Sequence, residues 1–203
     1  MPAWTAVPSV CPGRRGVTLW ELDQASVLEA KASLLRDVHA SSQCNRKTLE
    51  VDLAGVSWPD ELIHAGLRRE VPTAWLIEGL LPYLTPDEAF ALLDAVSTLS
   101  VPGSHLGADM VDHDSVAARN AYLAHLREAS PSTQGAPFQF GTNDPEHLLR
   151  ERGWSSVQIL HAADAAARFG RTLAAPAPGT PLLPRLWLVT AHRPIKGVTS
   201  AGL

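Results

Sequence analysis

The stretch Thr73-Ala74-Trp75-Leu76-Ile77-Glu78-Gly79-Leu80-Leu81-Pro82-Tyr83-Leu84 joins a short apolar run to a carboxylate and a turn. An apolar run between turn signals is typical of a parallel strand that is covered on both faces. Glu78 interrupts the run. A carboxylate at the end of a buried strand must be paired, hydrogen-bonded or facing a cleft, because burying it bare is too costly. We therefore predict a strand with an acidic tip.

A helix is predicted directly after this strand. Thr85 suits the N-cap, Pro86 the first helical position, and Glu88 completes a capping box. The apolar residues that follow share one helix face: Ala89, Leu92, Leu93, Val96 and Leu99. The segment is half of a βαβ unit whose polar group stands at the carboxyl end of the strand, where open α/β sheets bind ligands.

The remaining chain alternates between strand and helix patterns. Further strands are predicted at residues 17–23, 48–53, 104–111, 154–160 and 186–191, and helices at 26–38, 60–65, 86–99, 115–128, from 144, and at 162–171. Strands that alternate with helices imply an α/β fold with a mostly parallel sheet. The last two strands, linked by a proline-rich loop at 175–184, predict an antiparallel C-terminal edge.

Composition is that of a globular domain. The chain has 203 residues, 45% hydrophobic and 19% charged, with a net charge of −4, which suffices for one domain with a core. We predict an irregular arm at 1–16, the domain at 17–193 and a tail at 194–203.

Several function classes lack support in the sequence. No basic run indicates a nucleic-acid groove, no apolar run is long enough to span a bilayer, and the start does not read as a secretory signal. Cys11 and Cys44 form no CxxC motif, so a reduced, cytoplasmic setting is expected.

Four successive predicted strands end in carboxylates, namely Asp23, Asp52, Glu78 and Asp109. In a parallel sheet these ends share one edge. Carboxylates there can accept hydrogen bonds from ribose hydroxyls or an adenine amine, so the row favours a nucleoside ligand. Each residue alone is also compatible with a surface group or a helix cap; Asp23 either caps the helix after it or faces a cleft.

Three elements of the chain resemble the leucine carboxyl methyltransferase-like family, in its bacterial branch of S-adenosyl-L-methionine-dependent methyltransferases. Leu19-Trp20-Glu21-Leu22-Asp23-Gln24, with Lys31, is similar to the family's "EVDxP…K" element. Val51-Asp52-Leu53 is similar to its "DL" element, and residues 75–84 to its "EGLLxYL" element. The elements occur in the family's order, and the resemblance covers most of the chain from about residue 16 onward.

The resemblance implies a class I methyltransferase (Rossmann-like) fold and S-adenosyl-L-methionine as cofactor. It implies that Asp23 meets the ribose, that Asp52 and Leu53 lie near the adenine, and that Glu78 lies near the cofactor or the methyl-transfer site. The reaction would be in-line transfer of a methyl group to a carboxylate or hydroxyl of a small-molecule or peptidic acceptor. Such catalysis works by positioning, and no catalytic residue is assigned. Tyr83 either shapes the acceptor pocket or simply packs.

One departure from the family pattern is large. The family places a first strand and a glycine-rich "GxGxDTR" turn before the "EVD" element, and no GxG precedes Trp20 here. We therefore expect a partial domain that lacks the first strand and the N-terminal helices, and the alternative to an enzyme is an inactive remnant that serves as a binding protein. A nucleotide-binding module of another kind is disfavoured because no phosphate loop is present.

The cluster Asp109, Asp112, His113 and Asp114 carries ligand types that bind divalent ions. No second cluster of His or Cys accompanies it, so a solvated loop is the favoured interpretation and no metal is expected. No GxSxG elbow indicates a serine nucleophile, and the sequence does not determine an oligomeric state.

Overall fold

The structure is a computed structural model that describes residues 17–38, 44–171 and 185–195. The predicted arm at 1–16, the loop at 175–184, Cys11 and most of the tail lie outside the described residues. The described chain divides by its contacts into two compact units, a two-stranded unit up to Arg68 and a four-stranded unit from Arg69 onward. The predicted domain bounds of 17–193 stay a prediction.

The two-stranded unit is a single β-α-β motif followed by a short helix. Its elements are β1 (Thr18–Asp23), α1 (Ala25–Asp37), β2 (Asn45–Glu50) and α2 (Trp58–His64). β1 and β2 are parallel, with Thr18 opposite Asn45 and Asp23 opposite Glu50. The predicted parallel pairing is confirmed.

The second strand lies three residues earlier than the sequence pattern predicted. It covers 45–50 rather than 48–53. The polar start of β2 carries no alternating apolar signal, but Arg46 pairs with β1 and its guanidinium binds Glu21 there. Tertiary pairing therefore overrides local propensity at this strand.

The four-stranded unit contains the opening motif and the C-terminal half. Its elements are β3 (Ala74–Ile77), a 3₁₀ turn (Leu81–Tyr83), α3 (Pro86–Thr98), β4 (His105–Val111), α4 (His113–Ala129), α5 (Pro145–Arg150), β5 (Ser155–His161), α6 (Ala162–Arg168) and β6 (Leu186–His192). α3 begins as predicted, because Thr85 and Glu88 form the complete capping box. Each predicted helix and strand of this region is present, with ends that differ by a few residues.

The strand order of this sheet is β3-β4-β6-β5. β3 and β4 are parallel, whereas β6 is antiparallel to both β4 and β5. The predicted antiparallel pairing of the last two strands is confirmed. The antiparallel strand itself lies inside the sheet, between β4 and β5, and β5 forms the edge.

The prediction that β3 is covered on both faces is wrong. Trp75 and Ile77 face the core, but Leu76 on the opposite face is 60% exposed. Two features explain this exposure. β3 ends the strand order of its sheet, and the residue opposite Leu76 on β4 is Gly107, which has no side chain to cover it.

Candidate functional site

The carboxyl edge of the two-stranded unit carries Asp23. This residue ends β1, and its Oδ1 accepts a hydrogen bond of 2.8 Å from the N–H of Gln24. The N-cap of α1 is Gln24, and within the described residues no side chain caps that helix. The alternative that Asp23 is a helix cap is therefore wrong, and its carboxylate stands at the strand end.

Asp52 and Leu53 follow at the same edge of the same sheet. Val51 N donates to the carbonyl of Asp23 at 3.1 Å, which fixes the chain after β2 beside the end of β1. Asp52 is exposed, and its Oδ1 accepts from Ala54 N at 3.0 Å in a tight turn. The parallel pairing of β1 and β2 thus brings two predicted site residues, Asp23 and Asp52, to one edge of this sheet.

A charged cluster behind this edge sets the position of β1 against α1 and β2. Glu21 accepts hydrogen bonds from Lys31 on α1 and from Arg46 on β2, whose Nε lies 2.7 Å from Glu21 Oε2. Burial acts to raise the pKa of Glu21, but the bonds and charges of Lys31 and Arg46 outweigh it, and the net pKa is lowered. Glu21 and Lys31 of the "EVD…K" element therefore have a positioning role, and Arg46 was missed because its position gave no motif signal.

The carboxyl edge of the four-stranded unit carries Glu78 and Asp109. Glu78 is exposed and follows β3 directly, and Gly79 after it has a positive φ of 61°. Gly79 N donates to Asp109 Oδ1 at 2.8 Å. Burial raises the pKa of the Asp109 carboxyl, and the bond from Gly79 offsets part of that rise. Asp109 is thus a hydrogen-bond partner of the turn beside Glu78.

The rest of the "EGLLxYL" element supports a loop that returns after α4. The carbonyl of Pro82 accepts from Gln139 N at 2.7 Å and from Phe140 N at 3.2 Å, and the Tyr83 ring meets the Phe138 ring edge to face at 5.2 Å between centroids. The Tyr83 ring thus packs against Phe138, and the alternative that it shapes an acceptor pocket stays a prediction. The motif therefore fixes the course of residues 138–140.

A cavity of ≈ 220 Å³ lies against that loop within the four-stranded unit. Phe140 and Phe90 form its apolar side, in edge-to-face contact at 5.6 Å. His113, Asp144 and His147 provide polar groups in its lining. Because Phe140 N bonds to Pro82, the family element positions one wall of this cavity.

The acidic cluster after β4 is a helix start rather than a solvated loop. Asp112 is 2% exposed and is the N-cap of α4, where its Oδ1 accepts from Ser115 N at 2.8 Å. Arg185 Nε lies 3.8 Å from Asp112 Oδ2. The favoured interpretation of a solvated loop is therefore wrong for Asp112, because the free N–H groups of a helix start need an acceptor. Over the described ranges 17–38, 44–171 and 185–195, no group of three or more His, Cys, Asp or Glu side chains could hold a metal ion.

Sequence comparison finds a match to one protein family. The model of the family described as "Leucine carboxyl methyltransferase" matches residues 9–97. The predicted family resemblance is confirmed. That range includes all four residues proposed from the motifs, Asp23, Asp52, Leu53 and Glu78, whereas Asp109 lies beyond it.

A curated relative from Mycolicibacterium gilvum (strain PYR-GCK), provisionally named as an S-adenosyl-L-methionine-dependent methyltransferase, is 38% identical over 187 residues. The match covers 89% of this chain and 60% of that relative. Two further relatives are covered to 53% and 48% of their length. The chain therefore spans about half to three fifths of the length of the curated relatives that it matches.

Solved structures show the fold. A DUF574 family protein from Streptomyces avermitilis has a TM-score of 0.57 at 15% identity, covering 87% of this chain and 65% of that one. An O-methyltransferase family protein from Burkholderia thailandensis has a TM-score of 0.50 at 14% identity, covering 87% and 43%. The fold is an α/β fold of the class I methyltransferase kind, as predicted.

Among the described residues, no helix is both long and apolar enough to cross a bilayer. The cytoplasmic location stays a prediction.

Proposed function

We propose that the protein acts as an S-adenosyl-L-methionine-dependent O-methyltransferase on a carboxylate or hydroxyl of a small-molecule or peptidic acceptor. One observation carries the proposal. In a chain that matches this family over residues 9–97, the acidic residues of the three motifs stand at or just beyond the carboxyl ends of parallel strands. The carboxyl ends of parallel strands are where α/β sheets bind nucleoside ligands.

The residues present fit the nucleoside part of this cofactor. A carboxylate offers about four acceptor positions, and the described bonds of Asp23 and Asp52 occupy one Oδ1 on each with a neighbouring N–H. Asp52 is exposed and Asp23 half-buried, so both retain capacity for hydroxyl or amine donors. Beside Glu78, no atom lies within 4 Å of the place where a Cβ of Gly79 would stand, among the residues that the structure describes.

The cofactor, when bound, supplies a methyl group on a positively charged sulfur that an acceptor oxygen can attack in line. The roles proposed for this chain are binding and orientation. Asp23 accepts from the ribose hydroxyls, Asp52 and Leu53 hold the adenine, and Glu78 lies near the cofactor or the transfer site. The ion pairs of Glu21 support this arrangement by holding β1, which ends in Asp23, against α1 and β2.

Calorimetric titration of the 203-residue chain with S-adenosylmethionine tests the proposal. We expect micromolar binding that Asp23→Ala and Asp52→Ala each weaken by about tenfold or more, since a hydrogen bond to a charged group contributes about 1.5–3 kcal/mol. Asp37→Ala is the matched control. Asp37 is an exposed acidic residue at the opposite end of α1, and its removal changes the net charge equally without touching the strand ends.

The outcomes separate the enzyme from the alternative of an inactive binding protein. Binding that falls in both strand-end variants and persists in Asp37→Ala supports the methyltransferase. A folded, monodisperse chain that does not bind the cofactor contradicts catalysis by these 203 residues and favours the binding protein.

The acceptor atom is tested by the chemistry of the product. With a radiolabelled methyl group, a methyl ester on a carboxylate releases labelled methanol in mild base, whereas a methyl ether on a hydroxyl does not. Label that appears in neither form, or on nitrogen, contradicts the O-methyltransferase assignment.

A further inference from the structure

The turn after β3 is held by a residue outside the family match. Gly79 has a φ of 61°, and its N–H donates to Asp109 Oδ1 at 2.8 Å. The strand register explains why these residues meet. Ile77 is paired with Ala108, so the chain after β3 leaves the sheet directly beside Asp109.

Asp109 has an environment that structural stability alone does not require. Its side chain is half-buried on β4, and burial raises the pKa of the carboxyl. Among the described residues it has no ion-pair partner, unlike Glu21 or Asp112. A partly buried carboxylate without a counter-charge is costly. Backbone N–H groups, that of Gly79 among them, hold the Asp109 carboxylate in place of a charged partner, which indicates a role at this edge.

The backbone of the turn determines where Glu78 points. The backbone of Gly79 adopts a left-handed conformation that residues other than glycine rarely take, so the peptide between Glu78 and Gly79 has a specific orientation. The N–H of that peptide is the donor to Asp109. Release of this bond frees the peptide to rotate and moves the Glu78 side chain that precedes it.

We propose that Asp109 is a positioning residue that fixes the Glu78–Gly79 turn and thereby the placement of Glu78 toward the cofactor. The inference rests on the proposed function, since it assigns how one of its contact residues is held. Asp109 acts through the Gly79 N–H and does not itself contact the cofactor.

The test compares Asp109→Ala with Asp109→Asn in calorimetric titration with S-adenosylhomocysteine. Alanine removes the acceptor, and we expect affinity to fall about tenfold, corresponding to roughly one hydrogen bond to a charged group. Asparagine keeps an oxygen in the Oδ1 position, and we expect its affinity to stay within about threefold of the wild type. Rescue by the conservative variant is a result that a merely stabilising role of the negative charge would not give.

Glu88→Ala is the matched control for general loss of stability. The Glu88 carboxylate also accepts one backbone N–H at 2.7 Å, from Thr85, in the capping box of α3 in the same unit. It should lower the melting temperature without changing affinity. If Asp109→Ala does not fold, Asp109→Ser takes its place, because serine is polar but too short to reach Gly79.

The outcomes distinguish this inference from the proposed function. Wild-type chain that fails to bind overturns the proposed function and, with it, the role of Asp109. Wild-type binding with equal affinity in Asp109→Ala overturns the inference alone. Weakened binding in both Asp109→Ala and Asp109→Asn also overturns it, because the charge rather than the hydrogen bond to Gly79 would then be the cause.

Discussion

Two parallel strand pairs, β1–β2 and β3–β4, are each joined by a helix of 13 residues, but the two helices are held by different interactions. α3 buries five residues, namely Ala89, Leu92, Leu93, Val96 and Ser97, whereas the buried residue of α1 is Leu28. In place of an apolar face, α1 provides Lys31, which binds the half-buried Glu21 of β1. One βαβ motif is stabilised by burial and the other by a charged cluster.

The starts of the two helices differ in the same way. The Thr85 hydroxyl accepts from Glu88 N, and the Glu88 carboxylate accepts from Thr85 N. At the start of α1 the N-cap position holds Gln24, without a side-chain cap bond in the described structure. Similar topology therefore does not imply similar energetics. The β1–α1–β2 motif should depend on charge and on pH, and the β3–α3–β4 motif on packing.

The largest expected difference is in the response to core truncation. Leu93→Ala removes a side chain that is 1% exposed in a packed core, and we expect a loss of about 4 kcal/mol in the free energy of unfolding. Leu28→Ala, which truncates a side chain that is 6% exposed in the two-stranded unit, should cost about 2 kcal/mol. Native-state hydrogen exchange at the amides of α3 and α1 measures both changes locally.

Leu34→Ala on the exposed side of α1 is the control, since Leu34 is 55% exposed and should change stability by less than about 0.5 kcal/mol. Equal losses for Leu93→Ala and Leu28→Ala would remove the distinction between the two motifs.

How far the sequence predicts these two motifs depends on where the deciding interactions lie. Thr85, Pro86 and Glu88 predict the start of α3 correctly because a capping box needs residues only three positions apart. β2 was misplaced by three residues because the bond from Arg46 to Glu21 joins positions 25 apart in the chain. Local sequence patterns therefore predict where a helix begins, but they do not predict which residues of two strands pair.

The site shows the same limit. Asp23, Asp52 and Glu78 were predicted at strand ends, and parallel pairing places each at a carboxyl edge. The bond between Gly79 and Asp109 could not be predicted, because it requires the register of β3 on β4. Burial of Asp112 was also missed. Its cap bond from Ser115 N is local, but its contact with Arg185 depends on where the chain returns before β6.

The second prediction tests the charged cluster directly. Glu21→Gln removes the counter-charge of Lys31 and Arg46, whose side chains are only about one-fifth exposed. We expect the free energy of unfolding of the two-stranded unit to fall by about 2 kcal/mol. Hydrogen exchange at the amides of β1 and β2 measures the loss. Glu50→Gln is the control, because Glu50 is exposed at the end of β2 and should have a much smaller effect.

The third prediction is the pH dependence of the same cluster. Glu21 has a lowered pKa in the folded chain, so its contribution is fully present above the ordinary value of 4.5 and is lost as the pH falls through the lower folded value. The stability difference between wild type and Glu21→Gln should therefore shrink as the pH falls from 7 to 3. Parallel denaturation curves at both pH values measure it, and a constant difference would mean that the charge of Glu21 is not what holds β1.

The smallest expected effect distinguishes the two helix starts. Thr85→Ala removes the side-chain half of the capping box and should cost about 1 kcal/mol, because Glu88 N loses its acceptor at the start of α3. Gln24→Ala removes no cap bond in the described structure and should stay within about 0.5 kcal/mol of the wild type. Thermal unfolding of both variants measures the difference. A loss of equal size at Gln24 would show that α1 depends on its first turn as much as α3 does, and the contrast between burial and charge would then not extend to the helix ends.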